Sequence, residues 1–422
     1  MDTILMLLAH LGHSAQKLFL TPYTYISLLL VALVFRRQIQ LQRKLFFVRI
    51  HSFLREWWKT VVWGILAGLV VSILMFASNA TFEIELVPIL WFTAIFLMLF
   101  RIRFVCFAYV IGVIGVLHSI FVSLELAQEW GQAQWVFEAI RQADLYSLFL
   151  LVGFLHLIES LLVRKQGGAL ATPMFFMSKR GKLIGGYHFQ RFWPVPLLLV
   201  VPTVLGDQTI WHIWSDPELL AKVFLALLPF PVMIGFSDMT VTQLPQDKVK
   251  STANGLLLYA LIVIGLAFLV RFIPDTGVLA SMLLIVLHET MRWYARRKED
   301  KLLPLYTNST LGLKILAVLP GSPAEKLGIT AGETIHKVNG VMVHSRQQMY
   351  EAMSRNPAYC KLEVFDLEGQ IRFLNRAMFA GEHHQLGIIL APDDDVLHFA
   401  DYREFSIFMY LRAKLKGVLT KT

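Results

Sequence analysis

Up to Arg297 the chain is a succession of apolar stretches, each close to the about 17–25 residues needed to cross a bilayer, and after Arg297 they stop. They lie at 18–35, 60–77, 86–100, 104–122, 145–163, 192–206, 219–236, 254–272 and 278–295. A water-soluble core cannot hide so much apolar surface. Of the 422 residues 56% are hydrophobic and 16% charged, against roughly 45–50% and 25% in soluble domains. Residues 1–297 are therefore expected to form a polytopic α-helical membrane domain of about nine spans, within a range of about seven to ten. The stretches 86–100 and 192–206 are short, and the latter carries Pro194, Pro196 and Pro202, which suits a kinked or re-entrant segment as well as a crossing.

Charge orients these spans. The connection from Arg36 to Lys59 holds Arg36, Arg37, Arg43, Lys44, Arg49, Arg55 and Lys59 against one acid, Glu56, and the connection from Arg164 to Arg191 is basic without any acid. Both are expected in the cytoplasm by the positive-inside rule. The alternate connections carry Glu83 and Glu85, then Glu125, Glu129, Glu138 and Asp144, then Asp207, Asp216 and Glu218, and face outward. The last span runs into Arg292, Arg296, Arg297 and Lys298, which puts the C-terminal part in the cytoplasm and, with nine spans, the N-terminus outside. The net charge of +9 is thus explained by orientation, and no nucleic acid partner is expected. Met1 to Lys17 shows no basic region followed by a small-residue cleavage site, so the first span is expected to do the targeting. Within the first basic connection Phe46, Phe47, Ile50, Phe53, Leu54, Trp57 and Trp58 recur at helical spacing. They suit a helix lying on anionic lipid over 36–59, and equally Trp57 and Trp58 as interfacial anchors of the second span.

Beyond the connection 298–307 the pattern turns to short strands and tight turns over 308–392. Leu313, Ile315, Ala317 and Leu319 alternate before the turn Pro320-Gly321-Ser322, and Pro323 to Gly328 reads as a short helix with Pro in its first turn and Gly past its end. Ala331 to Gly340 is a strand closed by an Asn-Gly hairpin turn. Ser345 caps a helix to about Arg355, and Cys360–Asp366 pairs with Gln370–Arg376. The run Pro320 to Gly340 resembles bacterial PDZ domains, which add an extended peptide to a sheet edge beside a helix and receive its terminal carboxylate on loop amides. Leu311-Gly312-Leu313 leaves no room for two strands before Pro320. Leu386, Gly387 and Ile388, followed by Ile389, are expected to form the binding loop and strand, facing Met349, Tyr350 and Met353 of the second helix. That order makes the small α+β PDZ-like domain circularly permuted. The other reading leaves Leu386 to Leu390 as a closing core strand over an occluded groove.

No catalytic constellation accompanies this module. His288-Glu289 lacks the second histidine of a His-Glu-x-x-His zinc motif, since Arg292 stands there. His156 and Glu159 form an i, i+3 pair that suits a hydrogen bond between helices, with a proton or metal role as the alternative. There is no Gly-x-Ser-x-Gly elbow and no phosphate loop. The two cysteines, Cys106 and Cys360, form neither a disulfide framework nor a CxxC pair. A non-enzymatic protein with no metal and no cofactor is expected. The alternative is an intramembrane protease-like or transporter protein with a regulatory PDZ domain, for which Pro229 and Pro231 within 219–236 are suggestive.

The multi-span body, the stretch Arg101 to Tyr109 between the third and fourth spans, and a cytoplasmic PDZ ending in His383-His384-Gln385-Leu386-Gly387-Ile388 together resemble the MinJ family of Gram-positive bacteria. The resemblance reaches to about Pro392 and leaves the amphipathic tail 393–422 unmatched. It implies an adaptor of cell division at poles and septa, bridging the polar scaffold DivIVA to MinD, which holds the division inhibitor MinC.

Overall fold

The computed structural model describes residues 22–46, 53–123, 134–168, 171–178, 181–201, 227–356, 358–378 and 386–393, with a few single positions before 22. The body begins with α1 (Pro22–Phe46), α2 (Phe53–Ala77), α3 (Leu86–Phe100), α4 (Phe107–Ser123), α5 (Gln134–Arg141) and α6 (Leu145–Gln166). Three strands follow, β1 (Thr172–Met177), β2 (Leu183–Leu199) and β3 (Leu228–Thr240), then α7 (Pro245–Phe272) and α8 (Gly277–Lys301). α2, α6 and α7 are long and apolar enough to cross a membrane, while α3 and α4 are shorter apolar helices. α6 sits at the centre, buried along nearly its whole length, and starts at Asp144, whose carboxylate accepts from the Tyr146 and Ser147 amides. Such a helix, apolar all round, belongs in an interior.

The expected spans 192–206 and 219–236 are corrected here, because 192–199 lie in β2 and 228–236 in β3. The two strands pair antiparallel from Tyr187↔Thr240 to Leu199↔Leu228. An apolar run does not distinguish helix from buried strand by itself. The decisive residues are Pro194 with Pro196 and Pro229 with Pro231, spaced by two. In a helix each would remove a hydrogen bond and clash one turn back; on a strand edge each removes only an outward donor. The Leu198 amide donates to Ser72 Oγ at 2.9 Å, so the even-numbered residues of β2 face away from β3. Pro194 and Pro196 are on that outward side, and their partners Met233 and Pro231, with Pro229, are on the outward side of β3.

The outer edge of β2 lies against α2. A Cβ on Gly64 would stand 2.1 Å from the Pro194 carbonyl oxygen, and one on Gly68 2.1 Å from that of Pro196. Helix and strand therefore touch backbone to backbone, the approach that small residues permit inside membranes. At one end Arg191 pairs with Glu56 at 3.6 Å and donates to Thr60, while at the other Val200 bridges to Thr81. Nine strand residues at about 3.3 Å each cover the ~30 Å of a hydrocarbon layer. The ribbon's two antiparallel strands thus run along the body where two helices were expected.

The C-terminal module contains β4 (Leu313–Val318), the single turn α9 (Pro323–Lys326), β5 (Thr334–Val338), β6 (Val341–Met342), α10 (Arg346–Ser354), β7 (Tyr359–Phe365), β8 (Ile371–Ala377) and β9 (Ile388–Leu390). Its sheet runs β8-β7-β5-β4-β9, with β6 on β5. Local signals act as expected. Asn339 and Gly340 both take positive φ in the β5–β6 turn, Ser322 Oγ accepts from the Glu325 amide, and Ser345 Oγ accepts from the Gln348 amide.

Module and body are packed together. The stretch 298–307 is helical to Lys301, after which the Leu305 amide bonds Val241 and the Tyr306 carbonyl accepts from Gly185 at 2.9 Å. Tyr306 is fully buried, and the Tyr187 hydroxyl donates to the Leu316 carbonyl in β4. Glu299 receives the Val241 and Thr242 amides and pairs with Lys248. Residues of both basic connections, the end of α8 and the module thus gather at one end of the body, where Gln38 also bonds Thr172.

Candidate functional site

β9 ends the module's sheet, so among the described residues its outer edge is unpaired. The Gly387 carbonyl accepts from the Leu319 amide and the Ala391 amide donates to Lys314. Residues 387, 389 and 391 therefore direct their backbone groups toward β4, and Ile388 and Leu390 direct theirs outward. Leu386, Met349 and Met353 are buried in one apolar cluster, with Ile388, Leu390 and Tyr350 half-buried at its margin. Six residues of the sequence reading, from Leu386, Gly387 and Ile388 to Met349, Tyr350 and Met353, thus come together. Ile389 does not join them. It packs on the opposite face with Leu316 and Ala317 in the core shared with the body, because successive strand side chains alternate.

Gly387 is fixed by the backbone. Its φ is +74°, and a Cβ there would stand 2.2 Å from Ser322 Cβ. The loop before β9 is thereby held against the N-cap of α9, where the Ala324 amide donates to the Leu386 carbonyl at 3.0 Å. In the same module burial pushes the Cys360 thiol up to about 11, so it stays protonated in the core. Residues 379–385, including His383 and His384, lie outside the described residues.

A second constellation lies in the body. His156 of α6, His288 of α8 and Cys106 just before α4 place one donor atom each within 4.8 Å of one another. Cys106 Sγ is 3.3 Å from His156 Nε2 and 3.8 Å from His288 Nε2. Glu159 Oε2 is 3.9 Å from His156 Nε2. Glu289 stays outside this group: it accepts from the Tyr109 hydroxyl at 2.7 Å and pairs with Arg103 at 3.3 Å. Sequence reasoning singled out His156, Glu159, His288 and Glu289 but not the sulfur, since a lone cysteine in an apolar stretch carries no spacing signal.

A family model described as a PDZ domain matches residues 314–364, from β4 to within β7. The cell division topological determinant MinJ of Bacillus subtilis (strain 168) is 29% identical over 389 residues, covering 90% of this chain and 95% of that protein. The chain is similar to MinJ proteins along most of its length and carries a PDZ domain. A probable cell division topological determinant MinJ of Lacticaseibacillus paracasei is 25% identical over 262 residues, 59% of this chain and 66% of that MinJ. No solved structure matches. The PDZ match stops before β8 and β9, so the module's last strand is assigned by its pairing with β4.

Proposed function

We propose that this chain is a non-enzymatic adaptor of bacterial cell division, a multi-pass protein of the cytoplasmic membrane with its PDZ domain in the cytoplasm. The likeness to MinJ along 90% of the chain, joined to a PDZ sheet with an unpaired edge strand, carries this reading. The body comprises 1–297, a short connection 298–307, the module 308–392 and a tail 393–422, most of which lies outside the described residues. The module is a circularly permuted PDZ whose groove strand, β9, comes last. A peptide or protein C-terminus adds to that strand between Ile388 and the helix bearing Met349, Tyr350 and Met353. By family resemblance the partners are a DivIVA-like polar scaffold and MinD, so the division inhibitor is held at poles and septa.

Membrane anchoring concentrates the module where partners on the same surface lie. The basic residues of 36–59 face anionic headgroups, with exposed Trp58 and half-buried Trp57 in the first turns of α2 as anchors. Residues 47–52, which would complete an in-plane helix, lie outside the described residues. The convergence of both basic connections and the module at one end supports a common cytoplasmic side. Reporter fusions after Arg43 and after Ser345 should report the same, cytoplasmic, side, and loss of the protein in its host should misplace septa and give elongated or anucleate cells. Opposite sides, or normal septa, reject the proposal.

A further inference from the structure

We propose that Cys106, His156 and His288 form a Zn2+ site inside the body, with Glu159 beside it, binding the connection before α4 to α6 and α8. His156 Nδ1 lies 2.9 Å from the Val152 carbonyl, which only accepts, so Nδ1 carries the proton and Nε2 presents a lone pair. The Tyr109 hydroxyl has one proton and gives it to the Glu289 carboxylate, so its oxygen accepts from His288 Nδ1 at 2.9 Å. His288 Nε2 is therefore also a lone pair. Both lone pairs converge on Cys106 Sγ, and one thiol proton satisfies only one of them.

A divalent cation resolves this arrangement. Around zinc, with Zn–S about 2.3 Å and Zn–N about 2.0–2.1 Å, tetrahedral donors stand roughly 3.3–3.6 Å apart. The Cys106 sulfur lies 3.3 and 3.8 Å from the two nitrogens, close to that spacing without rearrangement. Glu159, 3.9 Å from His156 Nε2 but outside the three mutually close donors, supplies a negative charge beside the site, and the fourth position is left to water. Binding replaces the thiol proton by the metal and releases it, and a thiolate with a carboxylate then cancels the two positive charges. Neutrality matters in a body of membrane spans, where a buried net charge is costly.

Supports of the kind that orient metal ligands are in place. The Val152 carbonyl and the Tyr109–Glu289–Arg103 chain hold the two imidazoles in the tautomer that metal binding needs. The Tyr259 ring packs edge-on against both histidines, and its hydroxyl donates to the Leu284 carbonyl, which fixes the wall. One sulfur and two imidazoles select zinc over magnesium or calcium, which prefer oxygen. Three donors from separate elements tie the connection before α4 to α6 and α8, so the metal braces the body and is separate from the PDZ edge.

The test uses the full chain purified in detergent through a tag other than polyhistidine. Metal analysis should find about one zinc per chain, as a single site of three protein donors requires. After chelation, titration with Co2+ should give tetrahedral ligand-field bands and a sulfur-to-cobalt charge-transfer band. In a Cys360→Ala background that band can come only from Cys106. Cys106→Ser should abolish it, and His288→Ala should lower zinc content at least tenfold. If a variant does not fold, the cobalt spectrum of the Cys360→Ala protein alone decides. Absence of zinc together with absence of the sulfur band overturns the proposal and leaves a hydrogen-bonded cluster only. Equal metal content in wild type, Cys106→Ser and His288→Ala overturns it as well.

Discussion

The β2–β3 ribbon and β9 pose the same physical problem and answer it in opposite ways. Every strand edge presents N–H and C=O groups that seek partners. In the ribbon those groups are removed or covered: Pro194, Pro196, Pro229 and Pro231 have no outward N–H, Ser72 takes the Leu198 amide, and Gly64 and Gly68 bring α2 onto the carbonyls. Backbone at membrane depth is tolerated only when it is satisfied within the protein. β9 carries no proline among Ile388, Ile389 and Leu390 and keeps its outward donors at 388 and 390. One edge is built so that nothing adds to it, and the other keeps the outward groups that the proposed peptide addition requires.

The largest effect should come from breaking the sealed edge. Gly68→Leu drives a side chain into the Pro196 carbonyl, where even a Cβ has 2.1 Å, so we expect loss of folded protein, read by protease resistance in detergent. Wild-type resistance would mean that α2 does not lie on β2. Gly387→Glu comes next. With φ at +74° and Ser322 in the way, it should unfold the module while the body remains, seen as selective proteolysis after Lys301. Capture lost by that variant therefore reports folding rather than groove chemistry.

Smaller changes sharpen the contrast. Pro196→Ala restores an outward amide against α2 with no partner, which should cost about 1–3 kcal/mol and lower the melting temperature by a few degrees. An unchanged melting temperature would contradict the sealed edge. Tyr350→Asp, half-buried at the groove margin beside Arg346, should leave melting within about 0.5 kcal/mol, as surface changes do, but weaken partner capture several-fold. Full capture by Tyr350→Asp would move the groove away from α10.

The module was legible because its signals are local. Asn339-Gly340, Ser322 and Ser345 each fix their own turn or cap, and the pairing of β7 with β8 follows from Glu368-Gly369 between two alternating runs. Leu386, Gly387 and Ile388 as a binding loop remain part of the proposal, while the packing of Ile389 on Leu316 and Ala317 depends on the body, which lies far along the chain. In the body, apolar length read correctly at α2, α6 and α7, where no proline interrupts the core of the helix. It misread β2 and β3, since hydrophobicity reports burial and not period, and the prolines at spacing two carried the missing information. The Cys106–His156–His288 cluster was not legible at all. Its ligands come from three separate elements, and only the packing of α4, α6 and α8 brings them together.

Transplanting the ribbon's own device onto β9 asks whether that strand serves as an open edge. Leu390→Pro deletes one outward donor and spares the β4 ladder, since Ile389 and Ala391 carry those bonds. The variant replaces the chromosomal copy in the native host, with protein level, membrane recovery, septum position and co-purification of MinD and the polar scaffold measured together. If β9 is an open edge, the variant should be present in the membrane at wild-type amounts, with at least tenfold less partner recovered and misplaced septa. Undiminished recovery of both partners with normally placed septa would contradict an open edge.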